Sequence, residues 1–177
     1  MAILKVARMG NPVLRRVADP IPPDQIRSAE VQRLIRDMLD TVVEYDGVGL
    51  AAPQVHQSVR LVILALDPED GFEVWINPVL TPTTAETMTT TEGCLSVPGL
   101  RGDVDRPTGV RVEAYNHLGE HFVRTLDGFP AVVAQHECDH LDGSLYVDKV
   151  APKTLTFIEE WRRYSTLDEP ESTEEQD

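Results

Sequence analysis

The sequence lacks any apolar run near the roughly 20 residues that a membrane-spanning helix needs. Aromatic residues make up 6% of the chain, and cysteine occurs only twice, at Cys94 and Cys138. Basic side chains are scarce as well, with 16 Lys and Arg against 30 Asp and Glu and a formal net charge of −14. These shortages argue against a membrane protein, a disulfide scaffold and a DNA-binding protein, which needs basic surface.

The composition is otherwise that of a soluble globular protein, with 41% hydrophobic and 26% charged residues in 177. The N-terminus mixes basic with apolar residues, unlike a signal peptide, so a cytoplasmic protein is expected. Residues 168–177 contain six acids and no base, which leaves −8 on the rest of the chain. We expect one folded domain over residues 1–165 and an acidic, disordered tail over 166–177.

Hydrophobic spacing predicts the order of secondary structure. An extended arm of residues 1–23 precedes a helix over 24–45, whose apolar residues recur at three- and four-residue steps. Residues 47–54 are predicted to form a loop, and extended segments or strands follow at 60–66, 72–76, 81–91, 110–115 and 121–126. Further helices are predicted over 130–141, ended by Gly143, and over 153–164. Helix, several strands and helix indicate an α+β fold.

The segment from Gln135 to Gly143 contains the pattern His-Glu-x-x-His, formed by His136, Glu137 and His140. Residues four apart lie on one face of a helix, so both imidazoles can bind one metal ion. Glu137 is then placed to act as general base toward a water, as in metal-assisted hydrolysis. Cys138 lies on nearly the opposite face from His136, and packing in the core is expected for it.

The third protein ligand has three candidates. Glu160 lies twenty residues after His140, a spacing similar to that of thermolysin-like peptidases. Tyr146 stands where a metzincin has its third histidine, but tyrosine is a poor substitute. Cys94, in Glu-Gly-Cys-Leu-Ser, would supply a thiolate, which is a strong ligand for zinc or ferrous iron. Spacing alone does not choose between Cys94 and Glu160.

Three segments, taken together, resemble the signature motifs of the peptide deformylase family in the family's order. They are Gly-Val-Gly-Leu-Ala-Ala-Pro-Gln at 47–54, Glu-Gly-Cys-Leu-Ser at 92–96 and Gln-His-Glu-Cys-Asp-His-Leu-Asp-Gly at 135–143. The N-terminal residues 2–20 are similar to the start of that family too, and the resemblance spans about residues 2–165. Compact spacing between the first two motifs and a helical C-terminus look like the type I branch.

The resemblance implies an α+β fold in which antiparallel sheets surround a central metal-binding helix, with an N-terminal and a C-terminal helix outside. It implies that Cys94, His136 and His140 bind one divalent metal, natively Fe²⁺, which Zn²⁺, Ni²⁺ or Co²⁺ can replace. The implied reaction removes the formyl group from the N-terminal formyl-methionine of new polypeptides and releases formate. Glu137 would act as general acid and base, while the Gln54 side chain and the Leu95 backbone N–H would stabilise the oxyanion.

The resemblance also implies roles around the reacting groups. A pocket for the methionine side chain would be lined by Val48, Gly49, Phe129, Val132 and Val133. The missing side chains of Gly47 and Gly49 would let the substrate backbone lie alongside. Glu92 and Arg101 would form an acid–base pair near the pocket, and Asp139 would orient a ligand from beside His140.

The implied partners are nascent formylated polypeptides and, through them, the ribosome; a monomer without DNA or membrane partners is expected. Residues 161–164 are suited to contact RNA, but the six acids that follow would repel it, so docking through this tail is doubtful. A thermolysin-like peptidase with Glu160 as ligand, or an inactive homologue that only binds peptides or ribosomes, are the alternatives. Intact Cys94, Gln54 and Glu137 argue against the inactive form.

Overall fold

A computed structural model describes residues 2–67, 69 and 71–165. It contains three α-helices, α1 (Ala29–Glu44), α2 (Phe129–Leu141) and α3 (Ile158–Tyr164). The strands are β1 (Gly49–Ala51), β2 (Leu61–Leu64), β3 (Glu73–Pro82), β4 (Thr87–Cys94), β5 (Val97–Pro107), β6 (Gly109–Tyr115), β7 (His121–Asp127) and β8 (Thr156–Phe157). The tail predicted over 166–177 lies outside the described residues. Among the helices described, none has the length and apolar character to cross a membrane.

The strands form two antiparallel sheets, which confirms the predicted α+β class. One sheet has the order β1-β2-β3-β6-β7 and the other the order β4-β5-β8. Helix α2 packs against β1, β2, β3 and β7 of the first sheet and against β5 of the second. It therefore lies between the sheets, as the resemblance implied.

Helix α2 is built to be buried along almost its whole length. Pro130 lies in its first turn, where the missing N–H costs no hydrogen bond. The predicted stop, Gly143, has φ +73°, and a Cβ there would lie 2.9 Å from the carbonyl oxygen of Arg15. Its buried residues are Ala131, Val132, Val133, Ala134, Glu137, Cys138, His140 and Leu141. Because the polar members of this set have no access to water, they must find partners within the site.

Helix α1 begins later than the predicted residue 24. Residues Pro23–Gln25 form a separate 3₁₀ turn, and the Ser28 side chain accepts a hydrogen bond from the Val31 N–H at 3.3 Å. That bond caps the helix at Ala29. The predicted start of the helix is therefore five residues too early.

The C-terminal helix is also shorter than predicted. Thr156 and Phe157, inside the predicted helix 153–164, instead pair with Arg101 and Leu100 of β5. Helix α3 begins only at Ile158. The short strand β8 therefore fixes the start of α3 beside β5.

Four strand assignments also differ from the prediction. The extended segment predicted over 81–91 is divided, because β3 ends at Pro82 and β4 begins only at Thr87 and continues to Cys94. The 47–54 loop contains β1 and a 3₁₀ turn, Ala52–Val55, and β3 extends six residues past the predicted 76. Strand β5 was not predicted, since its two prolines and two glycines conceal it. The 110–115 and 121–126 strands are confirmed as the hairpin β6–β7.

The N-terminal arm, residues 2–23, crosses several elements and is extended as predicted, except for a 3₁₀ turn at Pro12–Arg15. The Leu4 N–H donates to Thr41 Oγ1 on α1 at 2.9 Å. The Ala7 N–H donates to the carbonyl of Gln54 and the Met9 N–H to the carbonyl of Ser96, both at 2.7 Å. The arm therefore joins the first and second sequence motifs by backbone hydrogen bonds.

Candidate metal centre and active site

Cys94, His136 and His140 come together in space. One ligand atom from each lies within 4.8 Å of the others, and Cys94 Sγ is 3.4 Å from His140 Nε2. Cys94 ends β4, while the two histidines lie one turn apart on α2. A thiolate with two imidazoles suits Zn²⁺ or Fe²⁺, so the donor set fits the expected divalent metal.

Glu160 lies apart from this cluster. It is on α3, its side chain is half-exposed, and it accepts a hydrogen bond from Arg163 Nη1 at 3.3 Å. Tyr146 instead stacks on the His136 ring, with centroids 6.2 Å apart and an interplanar angle of 22°. Of the candidates for third ligand, the fold brings only Cys94 to the histidines.

A buried chain of charged groups supports His136. His136 Nδ1 is 2.7 Å from Glu92 Oε2, and Arg106 binds both Glu92 oxygens, at 2.6 and 2.9 Å. Burial alone would raise the pKa of Glu92, but hydrogen bonds from Arg106 and His136 outweigh it and lower that pKa to about 2. Glu92 therefore stays ionised and holds the imidazole of His136 in place.

The expected pair of Glu92 with Arg101 is wrong, because Arg106 occupies that place. Side chains alternate along a strand, so positions 101 and 106 of β5 face opposite sides. Arg106 follows the buried Gly102 and Val104 on the inner face and is itself 2% exposed. Arg101 points the other way, and its guanidinium carbon lies 3.9 Å from the centre of the Trp161 ring.

Asp139 was expected to orient a ligand from beside His140, its neighbour in sequence. In the structure it is connected to the other histidine, His136. Its Oδ2 accepts from Arg106 Nη1 at 2.7 Å, and Lys149 Nζ lies 2.7 Å from both of its oxygens. Asp139 therefore steadies His136 through Arg106 and Glu92. His140 Nδ1 is buried with no hydrogen-bond partner among the described residues.

Glu137 is a buried carboxyl group at the base of a cavity. It is 4% exposed, and its Oε2 has no hydrogen-bond partner among the described residues. Burial raises the pKa of Glu137 to about 7. A carboxyl group with that pKa can both accept and return a proton near neutral pH.

Gln54 lies beside the ligand sulfur. Its Oε1 accepts from the Ala51 N–H at 2.8 Å, which turns Nε2 toward Ser96 Oγ at 3.2 Å and Cys94 Sγ at 3.5 Å. Ser96 is fully buried, and its own N–H donates to Cys94 Sγ at 3.4 Å. Sequence reasoning singled out neither Ser96 nor Arg106, although Ser96 is part of the second motif.

The predicted pocket residues line a single cavity of about 1020 Å³, together with Cys94, His136 and Glu137. The predicted members found there are Val48, Gly49, Phe129, Val132 and Val133, joined by Gln54 and Leu95. Val132 and Val133 are buried, whereas Val48 and Phe129 are 55% and 57% exposed. The cavity thus has buried apolar residues, Val132 and Val133, and accessible ones, Val48 and Phe129, that a ligand can reach.

The fold and the site together define a metal-dependent hydrolase with a candidate Cys-His-His metal site and a buried glutamate. A sequence profile described as polypeptide deformylase matches residues 3–155. The chain belongs to the polypeptide deformylase family. It is therefore an enzyme that removes N-terminal formyl groups, and neither the thermolysin-like nor the inactive alternative is supported.

Several peptide deformylases are similar to this chain over most of its length. A peptide deformylase of Leptospira biflexa is 38% identical over 164 residues, covering 88% of this chain and 92% of the relative. A peptide deformylase from Thermotoga maritima superposes with a TM-score of 0.81 at 36% identity, covering 86% of this chain and all of the other. A class I type b peptide deformylase from Acinetobacter baumannii with Met-Ala-Ser bound gives 0.79 at 37% identity, covering 84% and 99%.

Proposed function

We propose that the protein deformylates the N-terminal formyl-methionine of nascent polypeptides with the residue roles set out below. The observation that carries this proposal is the position of Glu137. It lines one cavity with the ligands Cys94 and His136, at the end of an apolar pocket. Val132 and Val133, which are 3% and 4% exposed, line the same cavity, and this apolar lining suits the side chain of an N-terminal methionine.

Cys94, His136 and His140 would hold the metal, which we propose is Fe²⁺ in the cell, with Zn²⁺, Ni²⁺ or Co²⁺ able to replace it. When bound, the ion would supply Lewis-acid polarisation of water and of the formyl carbonyl. A ferrous site with a thiolate ligand is prone to oxidation, so anaerobic handling is needed to retain activity.

Glu137 moves the proton in this proposal. Its Oε2 takes a proton from the attacking water, and the same carboxyl group passes that proton to the amine that leaves with the peptide. A pKa of about 7 places both transfers within reach at neutral pH. Formate and a peptide with a free N-terminal methionine are the products.

Gln54 and Leu95 stabilise the charge that develops on the formyl oxygen. Gln54 Nε2 carries two hydrogens: it donates to Ser96 Oγ at 3.2 Å and to Cys94 Sγ at a long 3.5 Å, so the more weakly bound hydrogen is available to the oxyanion. The Leu95 backbone N–H follows Cys94 directly in the chain and lies on the same wall of the cavity. Donors fixed in a buried site cost little reorganisation during the reaction.

The methionine side chain would occupy the pocket formed by Val48, Phe129, Val132 and Val133. Burying the exposed Val48 and Phe129 against a thioether side chain would add favourable apolar contact. Beyond methionine, the peptide would pair by its backbone with residues 47–50 and with the segment after Cys94. Such pairing recognises the backbone of the substrate more than its side chains, which suits an enzyme that acts on many different polypeptides.

We propose that the enzyme works in the cytoplasm as a monomer on chains leaving the ribosome. The −14 charge disfavours DNA as a partner. Docking on RNA through residues 161–164 is disfavoured by the acids that follow and by Trp161, whose ring is covered by Arg101.

The test is metal analysis and formate release from a formyl-Met peptide after anaerobic purification. Cys94→Ala should lose the metal and all activity, whereas Glu160→Ala should keep both. Glu137→Gln should keep the metal and lose activity by at least about 10³-fold, as removal of a proton-transfer group does. Metal loss in the Glu160 variant alone would overturn the ligand set, and near-normal turnover by Glu137→Gln would overturn its role.

A further inference from the structure

The mouth of the active-site cavity is basic, although the protein is strongly acidic. Lys5 and Arg8 of the N-terminal arm and Arg101 of β5 all line this cavity. Two of the three acids that line it are already engaged there: Glu92 is bound to Arg106, and Glu137 is buried at the reacting end. Asp46 is the third, so the accessible groups at the mouth carry an excess of positive charge. We call Lys5, Arg8 and Arg101 the basic rim.

The charges of the basic rim are not neutralised by carboxylates in the part of the chain that the structure describes. None of the three forms an ion pair with a carboxylate in residues 2–67, 69 and 71–165. Arg101 donates only to the Thr91 carbonyl, at a long 3.5 Å, and its buried Nε has no partner within the same residues. A guanidinium has five donors, so most of its capacity remains for a ligand.

Arg101 is nevertheless held in one place. Its guanidinium carbon lies 3.9 Å from the centre of the Trp161 ring on α3, a close cation–π arrangement. The backbone of Arg101 pairs with Gly93 on one side and with Thr156 of β8 on the other. A fixed guanidinium loses little conformational freedom when it binds a carboxylate, and it can do so with two parallel hydrogen bonds.

Arg101 lies near the expected path of the substrate residues that follow the methionine. Its pairing partner Gly93 immediately precedes the ligand Cys94. An extended peptide advances about 3.3 Å per residue. Side chains about two to four residues after the formylated methionine would therefore pass the basic rim.

We propose that the basic rim is an anion-recognising subsite that favours substrates with Asp or Glu shortly after the N-terminal methionine. Arg101 is the specificity-determining residue, and Trp161 is the positioning residue that holds it. Lys5 and Arg8 add a weaker attraction from the arm. This inference rests on the proposed deformylase activity and adds a preference among its substrates.

The experiment compares kcat/KM for formate release from formyl-Met-Ala-Glu-Glu, formyl-Met-Ala-Gln-Gln and formyl-Met-Ala-Lys-Lys, all amidated at the C-terminus. At low ionic strength the Glu peptide should exceed the Gln peptide by about fivefold, as expected for partly exposed ion pairs, and the Lys peptide should be poorest. The preference should shrink in about 0.5 M salt, where the Debye length falls well below 10 Å.

Variants then assign the preference to residues. Arg101→Gln should reduce the Glu-to-Gln ratio to near one, and Lys5→Gln/Arg8→Gln, on the exposed arm, should reduce it about twofold. Trp161→Ala keeps every charge but should also reduce the ratio, whereas Trp161→Phe should retain most of it. Arg36→Gln, an exposed arginine on α1 away from the cavity, is the matched control and should leave the ratio unchanged.

Equal kcat/KM for the Glu and Gln peptides in the unmodified protein would overturn the subsite. So would a ratio that survives in both Arg101→Gln and the arm double variant, or one that Arg36→Gln reduces equally. Absence of formate from all three peptides would instead count against the proposed function itself. Thermal unfolding of each variant shows whether a lost ratio reflects a lost fold.

Discussion

The α-carbon of Gly49 lies directly against the carboxyl group of Glu137. A Cβ at position 49 would lie 2.3 Å from Oε1, 2.6 Å from Cδ and 2.8 Å from Cγ of that side chain. Real Cβ atoms do not approach other atoms so closely, so any side chain here must displace Glu137. Gly49 was expected to make room for the substrate backbone, but the residue at this position must also leave room for the carboxyl group of Glu137.

Gly49→Ala should therefore impair chemistry more than folding. Displacement of Glu137 by about 1 Å should lower kcat by about 10²-fold while metal content stays unchanged. Steady-state kinetics with metal analysis measures both.

A double-mutant cycle gives the control for Gly49→Ala. Asp at position 137 is one methylene shorter, so Gly49→Ala should cost less activity in a Glu137→Asp background than in the original protein. Equal losses in the two backgrounds would show that the contact with Glu137 is not the cause.

Arg106 should matter for metal affinity although it touches no ligand atom. Arg106→Leu leaves the buried carboxylate of Glu92 with His136 as its remaining partner and no cation from Arg106, which should destabilise the protein by about 3 kcal/mol. Loss of the support for His136 should weaken metal binding by about 10- to 100-fold. Competition with a chelator measures the affinity, and urea unfolding measures the stability.

Arg101→Gln is the comparison for Arg106→Leu, since Arg101 contacts Trp161 and not Glu92. It should retain the metal affinity of the unmodified protein. Equal loss of metal in both arginine variants would show that the hydrogen bonds from Arg106 to Glu92 are not what supports His136.

Tyr146 offers a stabilising substitution. Its side chain is 1% exposed, and its hydroxyl has no hydrogen-bond partner among the described residues. Tyr146→Phe removes a polar group that is buried without compensation and keeps the ring stacked on His136, so stability should rise by about 1 kcal/mol. Chemical unfolding measures the change, and a loss of stability would mean that the hydroxyl does have a partner in solution.

Asp148 links the start of the chain to the segment after α2 in a pH-dependent way. Arg15 binds it with Nη2 at 3.0 Å from Oδ1, and the Leu145 N–H donates to it at 2.8 Å. The hydrogen bond from Arg15 holds the pKa of Asp148 below its ordinary 3.8. A carboxyl group whose pKa is lowered on folding stabilises the protein above its unfolded pKa and loses that effect as pH falls through the folded pKa.

Asp148→Asn should thus be destabilised relative to the unmodified protein by up to about 1 kcal/mol at pH 7, since the pair is partly exposed. The difference should persist down to about pH 4 and vanish at lower pH. Urea unfolding of both proteins from pH 2.5 to 7 measures it. A difference that does not change with pH would assign the effect to the hydrogen bond with Leu145 rather than to charge.

The helix that carries the ligands was predictable because its signals are local. His136, Glu137 and His140 lie within five residues of one another, Pro130 marks the first turn and Gly143 the stop. The hairpin β6–β7 was found for the same reason, since alternation and a short turn are both visible in sequence. Spacing left the third ligand open, and the family resemblance supplied Cys94.

The hydrogen bonds that hold the site residues in place depend on pairing between strands that are distant in sequence. They were not predictable for that reason. Whether Arg101 or Arg106 faces Glu92 is decided by the alternation of β5, a strand whose glycines and prolines hid it. The start of α3 was missed because Thr156 and Phe157 pair with residues more than fifty positions away. Ser96 gains its role only when Gln54 is folded against it.

The two backbone hydrogen bonds of the N-terminal arm join parts of the chain that are made at different times during synthesis. Ala7 and Met9 leave the ribosome first, but their acceptors on Gln54 and Ser96 follow tens of residues later, and α2 later still. Contacts between such distant parts of a chain form late in folding. The cavity that contains Cys94, His136 and Glu137 therefore cannot be complete until α2 has been synthesised.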